Sequence, residues 1–170
     1  MNDLDYITPS YDDIDLMTER VFKKILGDNF QPDVILAIAR GGWLPGRVFS
    51  DLFQANGQTP EVRSITTSFY IGVGERKRRP VLKQELDGSL FNQSVLIVDD
   101  VSDTGETLQF AMDYVKFLGA NNIKVATVYC KTKTTLIPDY YDEMIDSSVW
   151  IVFPYERREF QQKTGVNLDK

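Results

Sequence analysis

The chain has 170 residues, 42% of them hydrophobic and 26% charged, with a net charge of −6. Those proportions suit one globular domain over residues 1–170 and exclude disordered, collagen-like and coiled-coil classes. With no histidine and a single cysteine, Cys130, the chain has no Ser-His-Asp or Cys-His chemistry, no intrachain disulfide and no thiolate zinc site. Acid–base work must fall to Asp, Glu, Lys or Tyr, and any metal to oxygen ligands of the kind magnesium takes.

The acidic balance argues against a broad nucleic-acid footprint. No apolar run approaches the ~18 residues of a membrane span. The first residues, MNDLDYITPSYDD, are too acidic and polar for a signal or transit peptide, so a cytoplasmic protein is expected.

Along the chain, Tyr11, Ile14, Met17, Val21 and Ile25 recur at spacings of three and four, predicting a helix over 10–26 capped by Ser10 and stopped at Gly27. The run VILAIA, Val34 to Ala39, is wholly apolar and fits a strand buried on both faces of a parallel sheet. The turn ARGGWLPG follows, then a helix over about 44–55 with Pro45 in its first turn. Residues 62–71 read as a strand of β-branched and aromatic residues. Residues 72–94 are polar and charged, long for a simple connection, and predict a functional lid or hairpin.

Val95 to Val98 form the next buried strand and run directly into DDVSDTGET. A helix over 104–118 follows, with Leu108, Met112, Val115 and Leu118 on one stripe. Core strands are expected at 123–130 and 149–153. Strands alternating with helices predict a three-layer α/β fold with a mostly parallel sheet.

In such a sheet ligands bind beyond the carboxyl ends of the strands. Those ends carry Arg40, Gly41 and Gly42 after the first strand and Asp99 through Thr107 after the third. Lys131 and Lys133 follow the fourth, and Glu156 follows the last. In VLIVDDVSDTGETL, a strand presents two adjacent carboxylates and the next residues open a helix. Free amides at a helix start, with the Thr104 and Thr107 hydroxyls and the small Gly105, suit a phosphate. Carboxylates beside it suit ribose hydroxyls or magnesium, so the pattern describes a sugar-phosphate site. Neither GxxxxGK[ST] nor GxGxxG is present.

The same segment resembles the phosphoribosyl-pyrophosphate signature of the type I phosphoribosyltransferases. ARGGWLPG resembles that family's pyrophosphate loop, residues of about 68–84 its flexible catalytic loop, and WIVFPYE the base-holding segment of its 6-oxopurine branch. The resemblance implies a fold with a mostly parallel central sheet flanked by helices, a mobile loop and a base-binding hood over about 131–160. It implies a magnesium-dependent purine salvage enzyme. Such an enzyme transfers 5-phosphoribosyl from phosphoribosyl pyrophosphate to hypoxanthine, guanine or xanthine. The products are nucleoside monophosphate and pyrophosphate. A homodimer or homotetramer, with no nucleic-acid or membrane partner, is implied with it.

By matching, Asp103 faces base N7 and exchanges its proton, and Arg40 meets pyrophosphate. Asp99 and Asp100 sit at the ribose hydroxyls and magnesium, with Glu156 as a further metal contact. The backbone amides of 103–107, through Gly105 and Glu106, with the Thr104 and Thr107 hydroxyls hold the 5-phosphate, the Gly41 amide meets pyrophosphate, and Ser102 and Gly42 belong to the same phosphoribosyl-pyrophosphate site. Lys131 donates to the 6-oxygen, Trp150 stacks on the base, and Ile151 meets its edge. The basic run Arg76, Lys77, Arg78 and Arg79 belongs to the mobile flap. Tyr155 departs from the pattern, and no acid or amide directly follows Trp150, so the three 6-oxopurines are not separated. Two alternatives remain open at this point: a regulator of the same fold, and a transferase for a non-purine base.

Overall fold

The computed structural model describes residues 5–71 and 78–168. Its elements are β1 (Tyr6–Ile7), α1 (Tyr11–Gly27), β2 (Val34–Ala39), α2 (Trp43–Ala55), β3 (Glu61–Ile71), β4 (Arg78–Gln84), β5 (Ser94–Ser102), α3 (Glu106–Phe117), β6 (Asn122–Lys131), β7 (Tyr140–Ile145), β8 (Trp150–Ile151) and α4 (Arg157–Thr164). Six strands form the main sheet in the order β4-β3-β2-β5-β6-β7. All its pairings are parallel except β3 with β4.

Burial on both faces explains the continuous apolar runs VILAIA of β2 and VLIV of β5 and the mostly apolar, buried second half of β6. On one face Ile35, Leu96 and Ala126 pack against Val21, Phe22 and Ile25 of α1 and Phe49 and Phe53 of α2. On the other, Leu36, Ile97 and Val125 pack against Leu108, Ala111 and Val115 of α3. Successive strand residues point to opposite faces, so Ile35 and Leu36 serve different layers. Ser10 and Asp13 close the predicted cap of α1 as a reciprocal capping box.

Four features differ from the sequence reading. The strand expected over 149–153 is not part of the main sheet: β8 pairs in parallel with β1, Tyr6 beside Trp150. The strand beside β6 at the sheet edge is β7, YYDEMI, which the sequence reading did not include. Only Tyr140 of this edge strand is buried, the other side chains being half-buried or exposed, so no apolar run marks it. The helix α4 has one buried residue, Phe160, and so no apolar stripe to announce it. Finally α3 starts at Glu106 rather than Thr104, because Gly105 has φ +85° and cannot be helical. Within 72–94 the hairpin alternative holds for residues 78–84, which form β4.

Candidate active site

The parallel strands deliver the expected residues to one end of the sheet. Residues 99–108 line a cavity of about 300 Å³. A second cavity of about 250 Å³ is lined by Asp103, Lys131, Val149, Trp150, Ile151 and Glu156, among others. The two share Asp100, Val101 and Asp103. They are therefore adjoining parts of one cleft: a helix-start pocket, a carboxylate midsection and an aromatic, lysine-bearing end.

The first pocket is shaped from outside by the turn after β6. The Thr104 carbonyl accepts bonds from the Thr135 amide at 3.0 Å and its hydroxyl at 2.8 Å. Ser102, expected among the residues of the phosphoribosyl-pyrophosphate site, has its hydroxyl buried and turned to this turn: it donates to the Leu136 carbonyl at 2.7 Å and lies 2.8 Å from the Thr134 hydroxyl. Gly105 fits here for two reasons. Its φ is +85°, and a Cβ would come within 2.7 Å of the Leu136 amide nitrogen. The exposed Thr104 and Glu106 and the half-buried Thr107 complete the wall.

In the midsection Asp100 is 7% exposed. Burial pushes the Asp99 carboxyl well above the usual aspartate range, and the neighbouring Asp100 charge adds to this. Burial also raises Asp100, opposed by the hydrogen bond from Tyr155. Glu156 is raised by burial, then by Asp100 and Glu159. All three carboxyls are thus raised, with Asp100 buried and Asp99 and Glu156 half-buried. Among the described residues no three acids, cysteines or histidines converge to hold a metal unaided.

Gly41 and Gly42 make close approach possible. A Cβ on Gly41 would collide with the Asp100 carboxyl, and one on Gly42 with the Val98 and Ile38 carbonyls. The Ala39–Arg40 peptide is cis. Arg40 is exposed and pairs with Glu159 of α4 at 3.1 Å.

At the far end, Lys131 is 6% exposed, and its ammonium donates to the Val149 carbonyl and, at 3.4 Å, to that of Asp146. Burial lowers its affinity for the proton, while Asp103 and Asp146 oppose the shift. Trp150 is 53% exposed rather than a core residue. Ile151 is buried and anchored through β8.

Two contributions were not anticipated. Thr134 and Thr135 lie in no recognisable motif. Tyr155 donates from its hydroxyl to Asp100 Oδ2 at 2.8 Å, and burial, then the Asp100 charge, hold its phenol protonated far into the alkaline range. Arg76 and Lys77 lie outside the described residues, and of Arg78 and Arg79 only the backbone, in β4, is described.

A family model for the phosphoribosyl transferase domain matches residues 7–159. The chain is 29% identical over 191 residues to xanthine phosphoribosyltransferase 1 of Saccharomyces cerevisiae, covering 91% of each chain. It is 28% identical over 186 residues to the hypoxanthine-guanine phosphoribosyltransferase of Schizosaccharomyces pombe, covering 90% of each. A crystal structure of a purine phosphoribosyltransferase from Pyrococcus horikoshii superposes with a TM-score of 0.75 at 36% identity, over 89% of this chain and 93% of that one.

Proposed function

This chain belongs to the phosphoribosyl transferase family, and we propose that it is a purine salvage enzyme. It transfers the 5-phosphoribosyl group of phosphoribosyl pyrophosphate to a 6-oxopurine, with residues 1–170 acting as one catalytic domain. One observation carries this reading: the helix-start pocket and the lysine–tryptophan pocket share Asp100, Val101 and Asp103. A cleft with a phosphate end, a carboxylate middle and an aromatic end has the order of parts of a purine nucleotide.

The roles follow from chemistry. Amides of 104–107, with the Thr104 and Thr107 hydroxyls, hold the 5-phosphate at the start of α3. Asp99 and Asp100 hold the ribose hydroxyls. Arg40 and the Gly41 and Gly42 backbone receive pyrophosphate. Trp150 stacks on the base, the Ile151 backbone meets its edge, and Lys131 donates to the 6-oxygen. A base nitrogen forms the new bond to C1 while the bond from C1 to the pyrophosphate oxygen breaks and the electron pair leaves with pyrophosphate. The proton on the base passes to the Asp103 carboxylate. The enzyme needs no nucleophile of its own, only positioning and charge stabilisation, which a chain without histidine can supply.

The residues fit magnesium. Asp99 and Asp100 are oxygen donors in a desolvated site, too few to cage an ion, and magnesium is typically held by one or two carboxylates plus substrate phosphates. These two, with Glu156 as a further contact, would hold it, and its charge would neutralise the departing pyrophosphate. No helix among the described residues is long and apolar enough to cross a membrane. Cytoplasmic location and assembly as a homodimer or homotetramer belong to the same reading.

A base panel tests it. Protein, magnesium and phosphoribosyl pyrophosphate are mixed with hypoxanthine, guanine, xanthine, adenine or orotate. The expected result is nucleoside monophosphate and pyrophosphate with at least one 6-oxopurine. No product with any of the three, or product with orotate alone, overturns the proposal.

A further inference from the structure

The Asp100 carboxyl is gripped from two sides. Gly41 lies so close that a Cβ there would overlap the carboxyl group, and the Tyr155 hydroxyl donates to Oδ2 at 2.8 Å. The same hydroxyl oxygen lies 3.5 Å from the Gly41 carbonyl. The Tyr155 ring is itself fixed. It stacks on Phe153 at 5.4 Å between centroids and 5° between planes, and Phe153 is 2% exposed with its ring 6.0 Å from that of Tyr129. A phenol has one proton and one torsion to aim it, so a ring pinned by stacking delivers that proton to one place.

We propose that Tyr155 is the positioning residue for Asp100, holding one carboxylate oxygen so that the other is presented to magnesium-bound phosphoribosyl pyrophosphate. The inference rests on the assignment of Asp100 to that substrate. It joins three separate stretches of chain at one atom: the segment after β8, the turn after β2 and the end of β5. Tyr155 touches no reacting atom, and its effect is exerted through the orientation of Asp100.

The expected consequence is selective. Tyr155→Phe keeps the ring and its stack on Phe153 but removes the donor. The buried Asp100 carboxyl then loses its fixed partner. Affinity for magnesium–phosphoribosyl pyrophosphate falls about tenfold, the order of one hydrogen bond to a charged group.

Isothermal titration of wild type and Tyr155→Phe with magnesium–phosphoribosyl pyrophosphate, without base, reads this directly. Steady-state kinetics gives the companion split: KM for phosphoribosyl pyrophosphate rises about tenfold, while KM for the base and kcat stay within about threefold. Asp100→Ala completes the cycle, because it leaves no acceptor for the phenol to hold, and adding Tyr155→Phe to it weakens binding no further. Binding by Tyr155→Phe within twofold of wild type, equal losses for both substrates, or losses that multiply in the double variant overturn the inference. Wild type that fails to bind magnesium–phosphoribosyl pyrophosphate overturns this inference and the proposed function together, whereas failure of Tyr155→Phe alone to show the loss leaves the function standing.

Discussion

The Thr104 carbonyl is held by Thr135 twice, through the amide at 3.0 Å and the hydroxyl at 2.8 Å. The turn that follows Lys131 thereby shapes the loop that precedes α3, and the base end of the cleft braces the phosphate end. Neither residue's contact depends on a charge, so the brace is insensitive to salt and to neutral pH changes.

Gly105 is where that brace is tightest. Gly105→Ala places a methyl group against the Leu136 amide at a φ of +85°. An alanine at positive φ costs about 1–2 kcal/mol before the overlap is counted. Affinity for phosphoribosyl pyrophosphate is expected to fall at least tenfold, with a lower Tm. Calorimetry and thermal melts check it, and unchanged binding would show that this loop does not hold the phosphate.

Asp103→Asn separates chemistry from binding. The amide retains hydrogen bonding but takes no proton from the base, and a general base typically contributes ~10²–10⁴-fold. Single-turnover rates should drop by that range while the Kd for phosphoribosyl pyrophosphate stays within a few-fold. An unchanged rate would reduce Asp103 to a feature of the helix entrance.

Lys131→Ala tests base choice. The ammonium is matched to a 6-oxygen and mismatched to the 6-amino group of adenine, itself a donor. Losing a charged hydrogen bond costs about 1.5–3 kcal/mol, so kcat/KM for 6-oxopurines should fall roughly 10- to 150-fold. Trace activity with adenine should hold or rise. Measuring both bases on one preparation cancels effects of the lost bonds to Val149 and Asp146. Equal losses for both bases would remove Lys131 from position 6.

The adjacent Asp99 and Asp100 carboxyls predict a stability effect of definite sign in metal-free buffer. Asp99 binds its proton more tightly in the folded chain than at the usual 3.8 of aspartate. Its contribution is therefore fully present below about pH 3.8 and is lost as pH rises through the raised folded value. Asp99→Asn removes that loss and still accepts from the Asp100 amide, whose nitrogen is 3.0 Å from Asp99 Oδ1. In excess chelator at pH 7 the variant should melt higher, by about 2–4 °C for each kcal/mol recovered, and show a flatter dependence of Tm on pH. A lower Tm at pH 7 would mean that the ionised Asp99 stabilises the empty protein. The stabilised variant should be nearly inactive, since it gives up a carboxylate that the substrate site uses.

What the sequence made legible follows burial and contiguity. β2 and β5 are apolar on both faces and stand out as VILAIA and VLIV, whereas β7 carries Asp142, Glu143 and the exposed Met144 at the sheet edge and gives no run. WI was recognisable as a strand, but its partner was not. Trp150 donates its amide to Asp5, 145 positions away in the chain, and no local pattern encodes that pairing. The signature 99–107 is one uninterrupted stretch, so its carboxylates and glycine could be read directly. Tyr155 reaches Asp100 across 55 residues and Thr135 reaches Thr104 across 31. Both contacts exist only once folding has brought the ends of β5 and β6 beside the segment after β8. Ser102 lay in the signature by position, yet its side chain faces the neighbouring turn, because alternate residues of a strand point to opposite sides.

The most direct measurement is a crystal structure with a 6-oxopurine nucleoside monophosphate and magnesium. Phosphate is expected on the amides of 104–107, ribose hydroxyls at Asp99 and Asp100, the ring against Trp150 and its 6-oxygen at Lys131. A nucleotide seated with its base away from Lys131 and Trp150, or its phosphate away from the start of α3, would contradict it.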